Sequence, residues 1–163
     1  MKLSTQKLAS LGLFTAVAII FGYIEAMIPI STIPGIKLGL ANLSVLYILQ
    51  RYSLKEAVCV SAIRIFVIGF MFGNMFSILY SLSGALLSLG VMTLMKRCHA
   101  SLLATSMAGG LTHNVGQLII AMLIVENRAL LWYAPVLLIA GLATGLVIGI
   151  VTNEVLKRTV IRP

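Results

Sequence analysis

Hydrophobic residues fall into six stretches separated by short polar or turn-forming breaks: Leu8–Ile28, Ile36–Gln50, Leu54–Phe72, Met75–Met95, Ser101–Val125 and Leu131–Leu156. A helix needs about 20 residues to cross the hydrocarbon core of a bilayer. The second stretch is the short one, with Arg51 directly after it. It reads either as a short helix enclosed by protein or as one that joins the third stretch across Tyr52-Ser53. The breaks carry turn chemistry. Pro29 and Pro34-Gly35 flank Ser31-Thr32, Gly73-Asn74 parts the third stretch from the fourth, and Asn127 parts the fifth from the sixth. Lys2 and Lys7 before an apolar run imitate a signal peptide. The run outlasts the usual ~7–15 residues of such a segment and more spans follow, so it reads as a retained first helix.

Composition places these helices in a membrane. Of 163 residues, 60% are hydrophobic and 10% charged, and mean hydropathy is +1.09. A soluble domain is about 45–50% apolar and about 25% charged, so too few charges exist here to cover a water-facing surface. The expected fold class is an all-α integral membrane protein forming a single transmembrane domain over residues 1–163.

The net charge of +8 comes from 12 Lys and Arg against 4 acids. In a soluble protein that excess would suggest nucleic acid; in a membrane protein basic residues collect in cytoplasmic loops. Counting by alternate sides puts Lys2, Lys7, Arg51, Lys55, Lys96, Arg97, Lys157, Arg158 and Arg162 on one side. Lys37 and Arg128 fall on the other, with Arg64 inside a span. The asymmetry predicts six transmembrane helices with both termini cytoplasmic, since an odd number would separate the two basic termini.

Ionisable groups within a membrane are costly, and each is a candidate for function. Arg64 lies some 15 Å into the third stretch, near mid-membrane. It either pairs with Glu25, near the outer end of the first stretch, or faces a cavity and binds an anion with its fork of donors. The fifth stretch carries His113, Asn114 and Gln117 at depths of ~18–24 Å from its cytoplasmic start. His113 and Gln117, four apart, share a face. A lone helical histidine is commonly structural, but each polar group of such a cluster needs a partner in lipid. Lys37 and Asn42 open the second stretch and Asn74 opens the fourth, with Ser77 and Ser81 below it. Glu25, Lys37, Asn42, Asn74, His113, Asn114 and Gln117 thus share the outer half, with Arg64 as floor, and predict a pocket open to the outside.

Small residues at spacings of four include Gly12 with Ala16, Gly84 with Ser88, and Gly141 with Gly145 and Gly149. They read as strips of close helix packing or, for Gly12 and Ala16, as a docking face for another membrane subunit. Cys59 and Cys98 form no CxxC, and no zinc-ligand spacing exists. There is no GxxxxGK[ST] phosphate loop, no HExxH and no GxSxG. With no aspartate, the paired acidic clusters that hold magnesium in prenyl-diphosphate synthases are also missing. No catalytic residue, metal or cofactor is expected, and the chain is not expected to be an enzyme alone.

Pro34-Gly35-Ile36-Lys37-Leu38-Gly39-Leu40-Ala41-Asn42, Arg64 with Phe72-Gly73, Ser83-Gly84-Ala85-Leu86-Leu87-Ser88 and His113-Asn114-Val115-Gly116-Gln117 together resemble the Gx transporter family. That family is also labelled heptaprenyl diphosphate synthase component I and is similar in layout to the S components of energy-coupling factor (ECF) transporters. The resemblance spans nearly the whole chain; one departure is Ala85, where a second glycine is expected. It implies a six-helix S-component bundle in the bacterial cytoplasmic membrane, binding a small molecule from outside, anionic if Arg64 serves it. The implied partners are a transmembrane coupling subunit and cytoplasmic ATPases, with Gly12 and Ala16 on the coupling face. The alternative is a non-catalytic membrane subunit of heptaprenyl diphosphate synthase, partnered by a soluble prenyl synthase subunit. A proton-coupled transporter acting alone would need a titrating carboxylate at mid-depth, and Glu25 lies too near the surface.

Overall fold

Lipid offers no partner to a backbone N–H or C=O, so a chain this apolar must satisfy its backbone internally. The computed structural model, which describes residues 5–27 and 39–159, does so entirely with helices. These are α1 (Thr5–Met27), α2 (Leu40–Arg51), α3 (Leu54–Phe72), α4 (Met75–Arg97), α5 (Leu102–Val125) and α6 (Ala134–Thr159), the last preceded by a 3-10 turn over Arg128–Tyr133. Three begin behind side-chain caps of the expected kind. Ser53 accepts from the Lys55 amide, Asn74 from Ser77 and Ser101 from Ala104.

Four helical segments are long and apolar enough to cross a membrane: Thr5–Met27, Met75–Arg97, Leu102–Val125 and Arg128–Thr159. The expectation of six such spans is met only in this part. The helix α3 carries Lys55, Glu56 and Arg64 within its 19 residues. The helix α2 has 12 residues, about 18 Å at 1.5 Å per residue against a core of about 30 Å. Of the two readings of the second stretch, the enclosed short helix is the one found: Ala41 and every residue from Leu43 to Leu49 are buried.

Neighbouring helices close a ring in the order α1, α2, α6, α5, α4, α3 and back to α1, with α2 also against α3. Successive helices alternate in direction. Lys7 meets Glu56 and lies over Tyr52, Tyr47 reaches Thr159, and Lys96 reaches the end of α2. The described chain ends and the α2–α3 and α4–α5 connections therefore gather at one end of the bundle, where the basic residues concentrate.

The core is built around α2. Leu46, Ile48 and Leu49 pack with Ala18, Ala57, Val60, Leu89, Met92 and Ile148, and Phe14 stacks on Tyr47 at 3.9 Å. Both ends of α2 are held by charges from other helices. A Glu25 carboxylate oxygen accepts from the Leu40 amide at 2.7 Å. The Lys96 ammonium donates to the Leu49 and Gln50 carbonyls at 2.5 and 3.1 Å. Each charge complements the helix dipole at its end.

On the far side, α5 crosses α6 and α4 with backbones almost touching. A Cβ added at Gly110 would sit 2.3 Å from the Gly141 carbonyl oxygen, and one at Gly84 would sit 2.8 Å from the His113 oxygen. The Gly141–Gly145–Gly149 ladder is thus a packing strip, facing α5. Gly12 is different: a Cβ there meets nothing within 4 Å, and Gly12 and Ala16 both lie on the exposed face of α1.

Gly110→Ala is expected to lower stability by about 1–3 kcal/mol through overpacking against rigid backbone, whereas Gly12→Ala is expected to leave it unchanged or slightly raised through helix propensity. Thermal unfolding of the two purified variants in the same detergent checks the contrast.

Candidate functional site

Inside the ring lies a cavity of about 80 Å³, measured as room for water-sized groups. A single water needs ~10–15 Å³ on that measure, so about five to eight such groups fit. The cavity touches all six helices, with Gly22 and Glu25 from α1, Asn42 from α2 and Arg64 from α3 in its wall. Ser77, Ser81 and Ser88 come from α4, His113, Asn114 and Gln117 from α5, and Thr144 from α6.

Six of the eight expected pocket residues therefore meet: Arg64, Asn42, Glu25, His113, Asn114 and Gln117. Lys37 lies outside the described residues. Asn74 does not join them. Its side chain is occupied as the cap of α4, accepting from Ser77, and it borders a separate apolar groove between the start of α4 and the end of α5. The polar signal of Gly73-Asn74 marked a helix start rather than a binding group.

The α2 N-terminus opens onto this cavity. Gly39, with φ 67°, turns the chain into the helix through the left-handed region, which a side chain resists. From there Asn42 accepts a long hydrogen bond, 3.4 Å, from the Arg64 guanidinium. The positive end of the α2 dipole and the guanidinium thus bear on one space. Arg64 is only partly buried, but its Nε is sealed off and has no hydrogen-bond partner among the described residues. Arg64 and Glu25 line the same cavity without forming an ion pair with one another; the ion pairs among the described residues are Lys7–Glu56 and Lys157–Glu154. No direct Arg64–Glu25 contact is formed: the Glu25 carboxylate caps α2, while its charge still attracts Arg64 across the cavity.

The polar residues of α5 divide by what they do. Asn114 donates to the Leu137 carbonyl at 2.6 Å and ties α5 to α6. Deeper along the same interface, Ser106 donates to the Gly145 carbonyl at 2.6 Å, and on the other side Ser83 donates to the Gly116 carbonyl at 2.9 Å. Gln117 is only 3% exposed, lines the cavity, and its amide has no hydrogen-bond partner among the described residues. Gly84 makes room for it, since a Cβ there would press on the Gln117 and His113 side chains.

Sequence reasoning missed Ser88, Ser106 and Thr144 as lining residues. For α4 a signal existed: Ser77, Ser81, Gly84 and Ser88 recur at helical spacing and share one face. Among the described residues no three His, Cys, Asp or Glu side chains come together as metal ligands would.

A buried amide in use and one without a partner respond oppositely to removal. Asn114→Leu, which strips a donor from the Leu137 carbonyl, is expected to destabilise the protein by about 1–3 kcal/mol. Gln117→Met, of similar shape, is expected to leave stability unchanged or raise it, because a buried polar group without a partner is itself unfavourable. Thermal unfolding without added small molecules reads both.

No curated protein and no solved structure matches the chain. A family profile described as heptaprenyl diphosphate synthase component I matches residues 14–155. The matched stretch holds every cavity residue named above and Ala16, and starts just after Gly12. With most of its length so matched, the chain belongs to the heptaprenyl diphosphate synthase component I family.

Proposed function

We propose that the chain is the membrane-embedded substrate-binding subunit of an ECF-type transporter, taking up a small hydrophilic molecule into its central cavity. The observation that carries this reading is a polar cavity at the centre of an apolar six-helix bundle, with hydrogen-bonding capacity at Gln117 and Arg64 that the described protein does not fill. Polar and ionisable groups are held within a membrane only at a cost, and such groups around a cavity mark a ligand path.

The bundle is read as one transmembrane domain in the bacterial cytoplasmic membrane, with six helices crossing or entering it, α2 only part-way. Its basic end faces the cytoplasm. On this reading the cavity opens to the outside, where Glu25, Gly39 and Ser77 lie remote from the basic end. A transmembrane coupling subunit and cytoplasmic ATPases supply the energy, docking on the exposed Gly12 and Ala16 of α1, where small residues let another backbone approach.

The family description favours a second reading, a non-catalytic membrane subunit working with a prenyl synthase subunit. The cavity, about 80 Å³ with charged and polar groups among its lining, suits a compact guest better than a long isoprenoid chain, which is why transport is preferred.

Affinity purification of the tagged full chain from native membranes separates the two. Recovery of ABC-type ATPases with a membrane partner supports transport, and recovery of a soluble prenyl synthase subunit overturns it in favour of the second reading. Gly12→Leu and Ala16→Leu are expected to leave the protein inserted and folded while lowering ATPase recovery at least about tenfold, since a bulky side chain holds close-packed helices apart. Tags at either terminus are expected to be reached only from the cytoplasmic side, which protease accessibility in intact cells checks.

A further inference from the structure

Resting on the binding-subunit reading, we infer that the cavity is a two-ended site. An anionic group of the ligand, a carboxylate or phosphate, sits against Arg64 at the α2 N-terminus, and a neutral hydrogen-bonding group sits against Gln117 and Ser88. The ligand class is thus a compact hydroxy- or amide-bearing acid, not a plain anion and not an uncharged solute.

Three observations carry this. At one end, the Nε of Arg64 is buried without a hydrogen-bond partner among the described residues, and its guanidinium makes only the long 3.4 Å bond to Asn42. A guanidinium is a fork of donors with no acceptor, so what completes it must accept. Glu25 caps the Leu40 amide and attracts Arg64, so a ligand anion is held by the free donors of the guanidinium against the repulsion of one carboxylate.

Elsewhere in the wall, Gln117 beside Gly84 and Ser88 beside Gly109 are 3% and 5% exposed, and both line the cavity. Neither side chain has a hydrogen-bond partner among the described residues. An amide and a hydroxyl each donate and accept, which suits a neutral hydroxyl, amide or carbonyl rather than a second charge. Finally, a cavity of about 80 Å³ has room for both ends of a short molecule.

The test uses the purified full chain in lipid nanodiscs and reads the shift in unfolding temperature on adding defined probes at up to about 10 mM, well above the millimolar range of weak binding. Two-ended acids are glycerol 3-phosphate and lactate; one-ended anions are acetate and inorganic phosphate; neutral counterparts are glycerol and propane-1,2-diol. The expected result is stabilisation by at least one two-ended acid, exceeding that by its one-ended and neutral counterparts. That affinity is expected to fall about tenfold or more in Arg64→Lys, which keeps the charge but loses the fork, and to fall comparably in Gln117→Met. Because Gln117→Met keeps or raises stability without ligand, its loss of binding cannot be read as unfolding.

Stabilisation by a neutral probe, lost in Gln117→Met but retained in Arg64→Lys, overturns the anionic end while leaving the binding-subunit reading intact. Equal stabilisation by acetate or inorganic phosphate alone overturns the neutral end. Silence of the whole panel on the wild-type protein overturns the ligand class, and the recovery of ATPases then decides separately whether the subunit reading stands.

Discussion

The structure depends on keeping a twelve-residue helix inside a bundle whose other members are far longer. A helix end leaves backbone amides or carbonyls without partners. The α2 N-terminus is closed by the carboxylate of Glu25 from α1, and its C-terminus by the ammonium of Lys96 from α4. Each charge meets the dipole end of opposite sign, and the apolar face of almost every residue between is buried. Because α2 stops short, the space above it is not filled by helix. That space is the cavity, and its edge is where Asn42 can meet Arg64.

Polar side chains within the bundle therefore fall into two groups by use rather than by type. Asn114, Ser106 and Ser83 bind carbonyls of neighbouring helices and hold α4, α5 and α6 at distances that only glycine permits. Gln117, Ser88 and Arg64 lie among them but face the cavity. The close glycine crossings and the binding wall depend on one another: Gly84 lets α4 approach α5, and that approach seats Gln117 and His113. A change at the crossing would be felt at the wall even though Gly84 offers a ligand no side chain.

Family membership and geometry speak to different levels. The match over residues 14–155 places the chain beside a component of a prenyl-diphosphate synthase, while the absence of aspartate removes the acidic clusters that magnesium-dependent prenyl transfer uses. Both proposed readings assign the chemistry to a partner. What the chain itself offers is a compact polar recess and an α1 face on which Gly12 meets nothing in its own bundle.

The sequence by itself determined that this is a helical membrane protein, where most of its helices lie, and that polar groups from several of them converge. Those properties are local or additive: hydropathy, turn residues and helical spacing act over a few positions. It also marked Arg64 as the ionisable group in mid-span and left open whether Glu25 was its partner. Tertiary structure showed where the Glu25 carboxylate goes: it meets the first amide of α2, a contact between residues fifteen apart that no periodicity encodes, and from there its charge still attracts Arg64. It likewise separated Asn114, which holds α6, from Gln117, which faces the cavity, although the two lie three residues apart on one helix. Asn74, polar and well placed by count, became a helix cap because its own backbone turn supplied a nearer partner than the cavity. Which of two equivalent polar groups is left for a ligand depends on the neighbouring helix that reaches it first, and that is a property of packing.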